Sequence, residues 1–157
     1  MALASGTSVE SFGGYAEVTD ATNDTVVNDA FSLQTDLDST TPEWTNSDDA
    51  SFASFRLDAT WASAPTVNTP VNLYARLIEV DGTNDEPQTD ATYQNHYLGS
   101  FIVDAVTSAQ KLVLADAPLP NGNTSQKIEF YIENQTGQTI SANWRLYVNP
   151  KGFAVVA

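Results

Sequence analysis

The chain reads as an all-β protein: a β-sandwich of jelly-roll type with an extended N-terminal arm. Three observations carry that expectation. From Ala50 onward, apolar residues recur at every second position in run after run, the period of a strand buried on one side. The runs are separated by clusters of Pro, Gly, Asn and Asp, the residues that tight turns require. No segment keeps apolar residues at three-to-four spacing through three turns, so no helix is expected. Seven or eight such strands predict two sheets packed face to face.

Residues 1–45 are expected to form the arm and residues 46–157 the sandwich. Residues 1–55 hold ten Asp or Glu and no Lys or Arg, whereas the remaining 102 residues hold ten acids and six bases. Low hydrophobicity with charge of one sign argues against an independent core in the first stretch. Its apolar pieces Val26-Val27 and Phe31-Ser32-Leu33 are therefore expected to anchor the arm on a partner, and Trp44 in TPEWTN to anchor it on a partner or on its own body. One strand near Thr25 to Leu33 is expected to pair with the body. In such an arrangement charge sets the rate of encounter and the apolar anchors set residence time.

The strands follow in order. SFASFRLDATW places Ala53, Phe55, Leu57, Ala59 and Trp61 on one face, before the prolines of APTVNTP interrupt. VNLYARLIEV is apolar on both faces, as a central strand would be, and the polar loop Asp81 to Pro87 follows it. HYLGSFIVDAV groups Tyr97, Gly99, Phe101, Val103 and Ala105. QKLVLAD is short and leads into the turn cluster Pro118 to Gly122. QKIEFYIE sets Ile128, Phe130 and Ile132 inward, with Lys127, Glu129, Tyr131 and Glu133 outward. Asn134 to Gly137 reads as a hairpin connection into QTISANWRLYVN, where Ile140, Ala142, Trp144, Leu146 and Val148 alternate. Pro150 is expected to end that strand, and Phe153 to Val156 to add an edge segment. Trp61 and Trp144 share the face of their aliphatic neighbours, so both are expected in the core.

The residues that could carry chemistry are few. Cysteine is absent, which excludes disulfides, thiolate zinc sites and a cysteine nucleophile. The one histidine, His96, excludes a His-rich metal centre and stands alone as a general base. Glu129, Glu133 and Glu79 are acids on or near strand faces, expected to be solvated rather than paired for glycoside hydrolysis. The loop Asp81 to Asp90 and the pair Asp48-Asp49 offer oxygen ligands but lack the spacing of a calcium-binding loop. No catalytic residue, cofactor or metal is expected. A net charge of -14 disfavours nucleic acid and anionic lipid as partners. MALASGTSVESFGG has neither the positive nor the apolar region of a secretory signal, and no apolar run approaches the ~20 residues that span a bilayer. The sequons at Asn23, Asn123 and Asn134 are accordingly read as chance.

The runs VNLYARLIEVDGTND, YLGSFIVD, QKLVLADAPLP and above all FYIENQTGQTISANWRLYVNP resemble a group of small virion structural proteins of tailed bacteriophages. The resemblance covers about Val71 to Phe153. It implies a head decoration or cement subunit on the capsid exterior, assembled in the host cytoplasm. Its expected partners are the major capsid protein and further copies of the chain, in a homo-oligomer such as a trimer. Val26, Val27, Phe31, Leu33 and Trp44 are the expected contact residues of the arm. The competing expectation is a carbohydrate-binding or adhesion module of a tail fibre or baseplate.

Overall fold

A computed structural model describes residues 7–11, 13–19, 22–37, 42–120 and 124–155. It is all-β, and among the described residues the only helical turn is a 3-10 turn over Gln34–Asp36. The strands in chain order are β1 (Thr7–Ser11), β2 (Ala16–Glu17), β3 (Ala30–Phe31), β4 (Trp44–Thr45), β5 (Phe52–Ala59), β6 (Pro70–Ile78), β7 (His96–Ile102), β8 (Gln110–Pro118), β9 (Lys127–Asn134) and β10 (Arg145–Val155). They form two antiparallel sheets packed as a β-sandwich. The first has the order β1-β10-β5-β8, with β2 also on β10. The second has the order β3-β9-β6-β7, with β4 also on β9.

The alternation explains the core. Phe55 and Leu57 from β5, Leu73 and Ala75 from β6, Ile128, Phe130 and Ile132 from β9, and Leu146 and Val148 from β10 fill the space between the sheets. Trp61 and Trp144 are buried among them, at 2% and 1% exposure. The Trp61 indole N–H donates to Thr136 Oγ1 at 3.1 Å, and that of Trp144 to the Asp24 carbonyl at 3.0 Å, so neither ring strands a polar atom.

Five sequence expectations need correction. Residues from the expected arm belong to the body: Val18 and Val26 lie in the core cluster, and Leu37 is 1% exposed. A segment too polar to form its own core thus still contributes buried side chains to the sandwich. Strand β10 runs through Pro150, which sits opposite Ala53, because Lys151 beyond it pairs with Phe52 on one side and Ser11 on the other. The expected edge segment from Phe153 is thus the end of β10, and Val156 lies outside the described residues. So do Asn121 and Gly122 of the expected turn.

The third correction concerns β7, where Leu73 pairs with Gly99 but Tyr74 with Tyr97, leaving Leu98 as an extra residue. That bulge shifts the phase. Leu98 and Phe101 point into the core while Tyr97 is 57% exposed. Glycine suits position 99, where φ is +148°, a backbone conformation that L side chains rarely adopt. The fourth lies in β9, whose outward residues Glu129, Tyr131 and Glu133 are buried, at 2%, 0% and 8%. The fifth is the hairpin expected at Asn134 to Gly137: β9 pairs with β6 and β10 with β5, so residues 135–144 cross from one sheet to the other and the strand begins only at Arg145.

Candidate docking surface

The two ends of the sandwich differ in charge. Connections 60–69, 103–109 and 135–144 lie at one end, held together by Thr66 N–H to the Thr136 carbonyl at 2.9 Å and Asn68 N–H to the Val103 carbonyl at 3.0 Å. These three connections contain one charged residue, Asp104, and the 24–29 segment bonded to them adds Asp24 and Asp29. The other end carries 46–51, 79–95, 119–120 and 124–126, with seven acids and no base. The pairings set this polarity: Pro70 of β6 meets Ile102 at the first end, while Ile78 at its far end meets Lys127.

The uncharged end also exposes aliphatic side chains. Val27, Val67, Ile102 and Val106 are each between 43% and 54% exposed. Val27 is joined to the others through its neighbours: Val26 bridges Ile140, and Asn28 Oδ1 accepts from Gly137 N–H, close to Thr66. Water around such side chains is released when a partner covers them, at roughly 25 cal/mol per Å².

Of the five arm residues expected to meet a partner, the structure brings one to this end. Val27 is there, while Val26 is in the core. Phe31 pairs with Glu133 across the β3–β9 ladder and stacks against Tyr74 at 5.5 Å. Trp44 packs on Phe130 at 5.9 Å from β4. Leu33 is 55% exposed beside a cavity of about 460 Å³ between residues 29–33 and 88–91. Val67 and Val106 escaped sequence reasoning because each is an isolated aliphatic in a polar context, and Ile102 because it sits inside the apolar run Phe101-Ile102-Val103. The available signal was the lack of charge from Ala59 to Ala75 and from Asn134 to Trp144.

The outer face of the second sheet explains why the arm lies down. Arg76 is 11% exposed and donates from Nη1 to Glu129 Oε2 at 2.9 Å. Tyr131 donates its hydroxyl to the same oxygen at 2.6 Å, and Gln34 Nε2 donates to Glu129 Oε1 at 2.7 Å. Arg76 Nε also holds the Glu86 carbonyl at 2.7 Å, so one buried pair staples both residue 34 and loop 79–95 to the sheet. Burial, then the Glu129 hydrogen bond and charge, push the Tyr131 phenol far above its ordinary value. Burial and Glu133 raise Tyr74 to about 12.

Beside it runs a relay. Tyr97 and Ser100 share a hydrogen bond of 2.7 Å, Ser100 donates to Asn72 at 2.7 Å, and Asn72 and Tyr74 donate to Glu133 at 2.8 and 3.1 Å. Glu129 and Glu133 are four strand residues apart, roughly 13 Å, beyond the spacing of a glycosidase pair, which is about 5–10 Å. His96 Nε2 sits 2.8 Å from Glu86 Oε1 at the acidic end. Among the described residues no three His, Cys, Asp or Glu side chains gather to hold a metal ion, and no helix is long and apolar enough to cross a membrane. Asn23 and Asn134, at 3% and 0% exposure, are closed to a glycan in the folded chain, and Asn123 lies outside the described residues. Comparisons with protein-family models, with curated proteins and with solved structures find no match to this chain.

Proposed function

We propose that the chain is a structural virion subunit, a decoration or cement protein that docks on a capsid lattice through its uncharged end. The observation that carries the reading is that end itself, where four half-exposed aliphatic side chains coincide with connections 60–69 and 135–144 that carry no charge, in a chain of net charge -14. The acidic end then faces solvent and keeps decorated particles dispersed. In this reading the major capsid protein supplies an apolar, near-neutral seat, and copies sit side by side on the particle exterior. A jelly-roll winding belongs to the same reading: β5 and β6 lie beside β10 and β9, the early strands against the last ones.

The test is retention on purified particles. Val67→Asp and Val106→Asp each place a carboxylate among the aliphatics without touching the core. Both variants should melt like the parent and wash off particles that retain it. Retention of both at the parental level would remove this end as the docking surface.

One observation favours a second reading, carbohydrate binding. Phe31, Tyr74 and Tyr97 form a ladder with centroid spacings of 5.5 Å, and the exposed Tyr97 ring lies beside Ser100 and Asn72. A flat ring flanked by fixed hydrogen-bonding groups suits a pyranose. Binding on a glycan array that Tyr97→Ala abolishes would establish it.

A further inference from the structure

The cavity of about 460 Å³ between residues 29–33 and 88–91 has none of the four docking aliphatics on its wall. Asp29 stands on one side of it, directly before β3, and Asp90 on the other, in loop 79–95. No Lys, Arg or His lines it. Two other cavities differ in this respect. Lys127 accompanies Glu79 and Asp81 in one of about 310 Å³, and Lys111 and Arg145 accompany Asp58 in one of about 200 Å³. Asp29 and Asp90 instead accept from neutral donors. Asn28 Nδ2 donates to Asp29 Oδ2 at 2.7 Å, and the Thr92 and Tyr93 N–H groups donate to Asp90 Oδ1 at 2.6 and 2.9 Å. One oxygen of each carboxylate accepts nothing among the described residues.

Phe31, Leu33 and Ala91 give the same wall apolar surface. An independent feature is Thr89. It lines the cavity at 2% exposure, and its hydroxyl has no hydrogen-bond partner among the described residues. A buried hydroxyl left unpaired opposes folding, and a ligand group able to bond it accounts for its place on a cavity wall. Both sides of the cavity are fixed. The Asp29 and Ser32 N–H groups donate to the Asn134 and Ile132 carbonyls of β9 at 2.7 and 2.8 Å. Arg76 Nε holds the Glu86 carbonyl and Asn95 Nδ2 the Pro87 carbonyl, each at 2.7 Å. A site already in shape loses little freedom on binding, and its volume falls within the ~300–1,000 Å³ of small-molecule sites.

We infer that this cavity binds a primary alkylammonium group, with the attached methylene chain against Phe31 and Leu33. An ammonium has three donors and no acceptor, which matches the open carboxylate oxygens and the Thr89 hydroxyl oxygen. With acids on two sides, a diamine fits best, one ammonium at each carboxylate. A net charge of -14 attracts cations to the whole surface, but weakly and under salt screening. The apolar wall and the Thr89 hydroxyl set this cavity apart from acids that merely face water. A free polyamine and the lysine side chain of a partner present the same chemistry, and they differ in using two carboxylates or one.

Calorimetric titration of the full chain with cadaverine, a five-carbon diamine, tests this without any particle, so its outcome is separate from that of the docking proposal. Asp29→Asn and Asp90→Asn should each weaken binding about tenfold, the loss of one charge-assisted hydrogen bond. Asparagine suits the positive φ of 60° at Asp29, and at position 90 its amide oxygen can still accept from Thr92 and Tyr93. Asp104→Asn removes the same charge from an exposed acid elsewhere and should leave binding unchanged. Thr89→Val should weaken binding severalfold yet melt no lower than the parent, because the hydroxyl it removes bonds nothing in the free chain. A parallel titration with acetyl-lysine methylamide separates the sources. Tighter binding of that side-chain mimic assigns the site to a partner's lysine, and tighter binding of cadaverine to a free polyamine. Failure of both to bind would overturn the inference. So would an affinity that falls as far in Asp104→Asn as in the two cavity variants, or full affinity in Thr89→Val.

Discussion

Strands β5 and β9 carry the same alternation, yet their outward residues meet opposite fates. Arg56 and Asp58 of β5 remain part-exposed and form a surface ion pair, with the Arg56 guanidinium 4.1 Å from the Tyr147 ring centre. Glu129, Tyr131 and Glu133 of β9 are buried. Parity decides which way a side chain points, and something else decides whether water reaches it. Over the second sheet lie the Ser32–Asp36 segment and the 79–95 loop, tied down by Gln34 and by the Glu86 carbonyl. Over the first sheet the described residues bring Tyr15, whose ring centre is 5.3 Å from Arg56.

If the roof is part of the fold, removing it is the severest test. A chain beginning at residue 46 loses Val18, Val26 and Leu37 and bares Glu129 and Tyr131. Aliphatic side chains of this kind stabilise by about 2–5 kcal/mol each when fully buried, comparable in sum with a domain's whole stability of ~5–15 kcal/mol. The truncated chain should lose its cooperative urea transition. A sharp transition near the parental midpoint would show that the N-terminal segment is an accessory after all.

Next in size is Glu129→Ala, which leaves Arg76 charged, 11% exposed and without its main partner. Breaking a buried pair in this way costs about 3–5 kcal/mol, read as a shift in urea midpoint. Asp58→Ala, the matched change on the open face, should cost only ~0–1 kcal/mol. Equal effects at the two sites would erase the distinction between the faces.

Alkaline titration separates the faces without mutation. Tyr74 is raised to about 12 and Tyr131 is raised as well, both first by burial. An unfolded tyrosine ionises near pH 10, so these phenols contribute stability that is fully present below pH 10. It is lost as pH rises through the folded value, about 12 for Tyr74. Melting temperature should therefore fall from pH 10 upward, with late tyrosinate absorbance appearing only as the chain unfolds. In Tyr74→Phe that fall should be shallower, and an unchanged pH dependence would mean that Tyr74 is not a source of it.

Much of this could be read without coordinates. Alternation placed Phe55, Leu57, Phe130, Ile132, Leu146 and both core tryptophans correctly, because a strand's side-chain period follows from its backbone alone. The turn clusters marked the connections for the same local reason. The bulge at Leu98 was invisible, since an extra residue is defined only against the partner strand. The docking of Val26 and Leu37 was equally hidden. A short apolar residue in a polar stretch looks the same whether it waits for a partner or for its own sandwich, and only the gap left at the edge of the sheets distinguishes them.

Charge followed the same division. The sequence by itself determined that acids outnumber bases and that the stretches Ala59 to Ala75 and Asn134 to Trp144 carry no charge. Tertiary structure decided that those stretches, together with 103–109, meet at one end. It also decided that five bases find acids within the chain. Net charge is a sum over residues and survives any folding. The placement of charge depends on which strand ends the ladder pairs bring together, and those pairs are set by burial of apolar faces far away in the chain.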